Sequence, residues 1–145
     1  MTKPMMTKAP RFWKLAAAWA LVIFLLSSIP GASFPASKLL SYDKLLHAGV
    51  YAVLGAFCLM AIPRWPSQKT SVLVVIAGAM ATLYGFTDEF HQLFVPGRSA
   101  DLRDVLADCV GGFAGATMMS FMPFARANRS EAGAVEPAVK SERLS

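Results

Sequence analysis

The residues best suited to chemistry lie between Gly85 and Asp108, in the stretch GFTDEFHQLFVPGRSADLRDVLAD. It holds five acids, one of the chain's two histidines, a glutamine and two arginines. Carboxylates and imidazoles can act as general bases or bind a divalent metal, and arginine can bind phosphate or carboxylate through paired hydrogen bonds. Ionisable groups beside long apolar segments are costly to bury unless they are paired, so this stretch indicates a functional site.

The elements that must position these residues are apolar segments. Hydrophobic residues make up 55% of the 145 residues and charged residues only 16%, whereas a soluble domain has about 25% charged residues. Each apolar segment is close to the roughly 20 residues that a helix needs to cross a membrane. The four segments are Trp13–Ile29, Asp43–Ile62, Thr70–Phe90 and Asp104–Met122. The sequence therefore predicts an all-α fold, a four-helix transmembrane bundle with short loops.

Composition divides the chain into three parts. A basic N-terminal segment (1–12) precedes the four-helix domain (13–122), and a polar tail (123–145) without apolar periodicity is predicted to be disordered. Thr70 is a candidate N-cap for the third helix and Asp101 for the fourth. The first apolar segment could instead be a cleaved signal peptide, an alternative that leaves the rest of the topology unchanged.

The distribution of basic residues predicts the orientation. Ten of the 14 lysines and arginines lie in the N-terminal region up to Lys14, the second loop and the tail, and four lie on the opposite side. The side richer in lysine and arginine faces the cytoplasm, so both termini are predicted to be cytoplasmic. The basic residues that give the net charge of +5 flank the apolar segments. This placement indicates the lipid bilayer, and not nucleic acid, as the partner.

This topology gathers the polar residues into one pocket that faces outward. The start of the second helix, the end of the third and the start of the fourth all lie on the outer side, where helical spacing aligns neighbouring polar residues along single stripes. The predicted ligand-binding residues of this pocket are Asp43, His47, Tyr51, Glu89, Gln92, Arg98, Asp104 and Asp108.

Several of these residues also have a purely structural interpretation, which stays open. Asp43 and Asp104 can favour a helix start, Arg98 can form a structural ion pair, and His47 can form a buried pair with a carboxylate. The GxxxG spacing of Gly111 and Gly115 is best explained by close helix packing.

The polar residues fall into an ordered set of short motifs. In the strings DKLLHAGVYAVLGAF and TDEFHQLFVPGRSADLRDVLADCVGGFAG, and in the S-x-x-P before them, the chain resembles the VanZ-like family of small bacterial membrane proteins. The matching positions are Ser27, Pro30, Asp43, Lys44, His47, Tyr51, Glu89, Gln92, Pro96, Arg98, Asp104, Gly111 and Gly115. The chain departs from the pattern at Asp108, where the family usually has asparagine.

The resemblance implies a four-helix domain in the bacterial plasma membrane. The family's namesake gives resistance to teicoplanin, a lipid-bearing glycopeptide that binds cell-wall precursors outside the membrane. A similar role for this chain would be to bind or shield a lipid-linked or glycopeptide-related molecule of the cell envelope.

The residues leave other functions open. In a membrane-embedded enzyme, the catalytic candidates are His47, Glu89 and Asp104, and a divalent metal could be held by these three with Asp108. A transporter is less consistent with the sequence, because the polar residues lie at only one end of the spans. Catalysis, metal binding and homo-oligomerisation are not decided by the sequence.

Overall fold

Four helices make up most of the described part of the chain, which in this computed structural model covers residues 10–31, 43–63 and 68–123. They are α1 (Pro10–Ser27), α2 (Asp43–Ala61), α3 (Thr70–Gln92) and α4 (Leu102–Phe121). The described residues contain no strand. The predicted all-α class is therefore confirmed, and each helix lies within three residues of its predicted bounds. Most of the predicted basic segment and nearly all of the polar tail lie outside the described residues.

Of two predicted N-caps, that of α4 is confirmed and that of α3 is wrong. Asp101 is the N-cap of α4, and its carboxylate accepts a hydrogen bond from the backbone N–H of Arg103. Thr70 is not a cap, because α3 begins one residue earlier than that prediction requires. Lys69 occupies the N-cap position and makes no side-chain capping bond, and the buried Thr70 hydroxyl has no hydrogen-bond partner among the described residues.

The closest helix pair is α2 with α4, because glycines remove the side chains that would separate their backbones. A Cβ atom added at Gly111 or Gly115 would overlap the backbone carbonyl of Ala48 or Ala52 on α2. From the α2 side, a Cβ atom at Gly55 would overlap the carbonyl of Gly112. The two helices therefore touch backbone to backbone over more than one turn.

Helix α1 is held to its neighbours by two long-range hydrogen bonds. The Trp19 indole N–H donates to the carbonyl of Val50 on α2 at 3.0 Å. The Tyr84 hydroxyl on α3 donates to the carbonyl of Ala20 at 2.6 Å. These bonds fix the C-terminal half of α1 against the bundle, so that Ser27 reaches the polar end of α3.

The outer surface of the helices is strongly apolar. Leu83, Phe94 and Val110 are among the exposed large hydrophobic side chains, each at least 65% exposed. Helices α2 and α3 are long and apolar enough to cross a membrane. The apolar part of α1 is shorter, and α4 carries Arg103, Asp104 and Asp108 in its first two turns.

Replacing Gly115 by alanine should destabilise the protein, because the new methyl group must push α4 away from the Ala52 carbonyl. We expect a loss of about 1–3 kcal/mol, the usual cost of overpacking a tight contact. The matched control is Gly49→Ala on the exposed side of α2, where an added methyl meets no described atom within 4 Å. That control should be neutral, or stabilising by up to about 1 kcal/mol. Unfolding in mixed detergent micelles measures both variants, and equal stabilities would contradict the backbone contact.

Candidate functional site

The buried polar side chains of the described residues all gather at one end of the bundle. Three helix ends meet there, namely the start of α2, the end of α3 and the start of α4, together with the last residue of α1. Beside them lies His47 of α2, whose side chain is 14% exposed. We refer to the seven residues as the polar cluster: Ser27, His47, Asp88, Glu89, Gln92, Asp104 and Asp108.

The α3 side of the cluster consists of three residues on one helix face. Asp88, Glu89 and Gln92 follow the helical spacing that puts them side by side, and each is only 4% exposed. The Gln92 amide donates to Asp88 Oδ2 and to Glu89 Oε1, both at 3.2 Å. The Ser27 hydroxyl donates to Asp88 Oδ1 at 2.6 Å. Both oxygens of Asp88 are thus bonded to neutral donors.

Glu89 is held from two directions. One oxygen accepts from Gln92, and the other accepts from the backbone N–H of Asp101 at 2.9 Å. This second bond ties the end of α3 to the residue that caps α4. The carboxylate therefore has a fixed orientation, even though no cationic side chain is among these contacts.

Lys44 and Asp101 form the half-exposed rim of the cluster, with side chains 41% and 42% exposed. The Lys44 ammonium donates to Asp101 Oδ2 at 3.1 Å and also to Asp104. The backbone N–H of Arg103 and then the Lys44 side chain hold the pKa of Asp101 below its ordinary value. The stabilisation from these bonds is present at neutral pH and is lost as the pH falls through the lowered pKa.

His47 and Asp108 form a buried imidazole–carboxylate pair. His47 Nδ1 lies 3.0 Å from Asp108 Oδ1, and Asp108 is fully buried. Gly85 makes room for this carboxylate, because a Cβ atom there would lie 2.7 Å from Asp108 Oδ2. The Tyr51 ring stacks parallel to the imidazole one turn further along α2. The Tyr51 hydroxyl and Asp108 Oδ2 are buried without a hydrogen-bond partner among the described residues.

Three side chains of the cluster converge on one point. His47, Glu89 and Asp104 each offer a ligand atom, and these atoms lie within 4.8 Å of one another. They come from three different helices, so the point exists only when α2, α3 and α4 are packed together. A nitrogen and two carboxylate oxygens at this spacing can receive a cation or hydrogen-bond donors of a polar ligand.

Two polar residues near the cluster, the predicted Arg98 and the unpredicted His91, contact the C-terminal end of α1. The Arg98 guanidinium donates to the carbonyls of Ile29 at 3.2 Å and Leu26 at 3.4 Å, at the C-terminal end of α1. His91 lies 3.0 Å from the Ser28 hydroxyl and packs against Phe24. Asp43 begins α2, but its side chain lies outside the described residues.

Ser27 and Asp88 were not among the ligand-binding residues predicted from the sequence. Asp88 had a signal, because it precedes Gln92 by four residues and shares its helix face. Ser27 had only its place in a short motif, because its partner Asp88 lies 61 residues away in the chain.

The fold and this site define a small helical protein with an apolar outer surface and a buried polar cluster at one end. The chain belongs to the VanZ/LLP1 family, whose family model matches residues 4–123. Searches of the curated proteins and of the solved structures gave no significant match. The family assignment predicted from the motifs is confirmed, and it indicates an envelope-associated, resistance-type role.

Arg98→Ala should destabilise the protein, because the carbonyls at the end of α1 lose their charged donor. Hydrogen bonds to charged groups contribute about 1.5–3 kcal/mol, and the half-buried setting of Arg98 favours the lower end. Arg103→Ala is the matched control, since that side chain is exposed and should change stability by less than about 0.5 kcal/mol. Thermal unfolding in detergent compares the two, and a neutral Arg98→Ala would contradict this capping role.

Proposed function

We propose that the protein crosses the bacterial plasma membrane several times, with both termini in the cytoplasm and the polar cluster facing outward. The exposed apolar side chains support this placement, because lipid covers such a surface without the cost that water imposes. The excess of basic residues in the N-terminal segment, second loop and tail supports the orientation.

We propose further that the cluster binds the polar head of an envelope lipid or of a lipid-linked, glycopeptide-related molecule. The observation that carries this proposal is the convergence of His47, Glu89 and Asp104 behind the half-exposed rim of Lys44 and Asp101. The rim gives access, and the buried groups supply acceptors and donors in fixed positions. The apolar surface of the helices would hold the lipid tail beside the cluster.

In this binding mode each charged residue has a different role. Lys44 supplies a flexible cation at the rim that can turn from Asp104 and Asp101 towards a phosphate or carboxylate. Glu89 and His47 orient hydroxyl or amide groups of the head. Arg98 supports the site indirectly by bonding the end of α1 to the loop that precedes Asp101.

A second candidate is an enzyme that acts on an envelope lipid or phosphate group. The pair of His47 with Asp108 favours it, because a buried carboxylate bonded to one imidazole nitrogen orients the ring and supports proton transfer at the other. Glu89 is the alternative base. The binding protein and the enzyme would use the same cluster. They differ in whether the bound molecule is chemically altered before it is released.

The test is purification in a mild detergent followed by mass spectrometry of the lipids that stay bound. We expect wild type to retain a specific envelope lipid, and Glu89→Gln to retain at least about tenfold less, since a charged acceptor is replaced by an amide at equal size. The control is Glu142→Gln, which makes the same substitution outside the residues that the family model matches. This variant should retain as much lipid as wild type.

Growth of a susceptible bacterial host in teicoplanin gives the parallel functional measurement. The protection should be lost with Glu89→Gln and kept with Glu142→Gln. A chemically altered lipid that accumulates with wild type alone would identify the enzyme. Equal lipid retention and equal protection in all three proteins would contradict the proposed binding site.

A further inference from the structure

We propose that His47, Glu89 and Asp104 form a binding site for one divalent transition-metal ion, with Asp108 holding His47 from behind. The site deepens the proposed function and rests on it for one step, the binding of an anionic head group by the metal. The presence of the metal itself follows from the geometry and charge of the cluster.

The ligand atoms lie close to metal-binding distance. Bonds of about 2.0–2.2 Å from each ligand atom to a common ion require neighbouring ligand atoms to be about 3–4 Å apart. The three atoms lie within 4.8 Å of one another, so side-chain adjustments of less than about 1 Å bring them into range. One imidazole nitrogen with two carboxylate oxygens favours Zn²⁺ or Mn²⁺ over Mg²⁺ or Ca²⁺, which prefer oxygen alone.

The contacts behind the ligands have the pattern that metal sites use. A metal-binding histidine commonly donates its second ring N–H to a carboxylate, which fixes the ring and raises its basicity. Asp108 Oδ1 lies 3.0 Å from His47 Nδ1, so ionised Asp108 favours the tautomer with a lone pair on Nε2. Glu89 is oriented in the same way by Gln92 and by the backbone N–H of Asp101.

The charge of the cluster supports a cation independently of this geometry. Four buried carboxylates, those of Asp88, Glu89, Asp104 and Asp108, lie at one end of the bundle. Their described hydrogen-bond donors include one permanently charged side chain, Lys44, and buried anions are costly without matching positive charge. The fully buried Asp108 Oδ2 has no hydrogen-bond donor among the described residues. A divalent ion at this point would add positive charge beside these buried carboxylates.

The ion also explains how an acidic cluster could receive an anionic ligand. Asp104 is bonded to Lys44 in the structure, and a metal on Asp104 would release the ammonium to the rim. Phosphate or carboxylate oxygens of a head group would then complete the coordination of the metal, with Lys44 as a second contact. The three protein ligands leave coordination positions open for such oxygens.

Titration of lipid-depleted full-length protein with Mn²⁺ alone, followed by the electron paramagnetic resonance signal of the free ion, tests the site. Elemental analysis after dialysis against Zn²⁺ gives the stoichiometry. We expect about one ion per chain, and affinities reduced by at least about 10–100-fold in His47→Gln, Glu89→Gln and Asp104→Asn. Asp108→Asn should reduce the metal affinity by about 10–100-fold, because His47 would lose the carboxylate that orients its imidazole.

Two matched controls make the same kinds of substitution outside the cluster. His91→Gln changes the other histidine, which contacts Ser28 and Phe24, and Glu142→Gln changes an acid beyond the residues that the family model matches. Both should bind Mn²⁺ within about threefold of wild type. Helical circular dichroism and a single size-exclusion peak show that each variant is folded.

Substoichiometric metal in folded wild type would overturn the inference without reference to any variant. Equal affinity in wild type and all three ligand variants would show that the metal binds elsewhere, which also overturns it. Lipid retention measured in a chelating buffer separates this result from the proposed function. Metal binding that fails while Glu89-dependent lipid retention persists rejects the metal site alone.

Discussion

The backbone contact between α2 and α4 is the constraint on which the rest of the structure depends. Gly111 and Gly115 remove the side chains that would separate the helices from Ala48 and Ala52. The same approach brings His47, one residue before Ala48, within 3.0 Å of Asp108, three residues before Gly111. Close packing and the polar site are therefore two results of one geometry, since a wider helix separation would break the His47–Asp108 bond.

Much of the fold follows from simple sequence signals. Four long apolar runs define four helices, and the 3.6-residue repeat puts Asp104 and Asp108 on the stripe that continues to Gly111 and Gly115. The same repeat puts Asp88, Glu89 and Gln92 on one face, and the structure buries all three. These inferences need only local spacing, which is why the sequence is sufficient for them.

The partners of each polar residue could not be read in the same way. Ser27 bonds to Asp88 across 61 residues, and Arg98 bonds to carbonyls of α1 about 70 residues earlier, with separations of 69 to Ile29 and 72 to Leu26. Both pairings depend on how α1 lies against the bundle, which is set by the long-range bonds of Trp19 and Tyr84. An arginine after a Pro-Gly turn looks the same in sequence whether it caps a helix or faces a ligand.

The cluster has more buried acids than an ordinary core, and this supports the proposed binding role. An ordinary core avoids buried carboxylates, because desolvation of each one costs several kcal/mol that hydrogen bonds only partly return. This chain has four at one end of a small bundle, and neutral groups of Ser27 and Gln92 bond both oxygens of one of them. Neutral donors orient a carboxylate without cancelling its charge. The proposed cation would compensate this buried negative charge, so the same residues whose burial is costly are those that would favour binding.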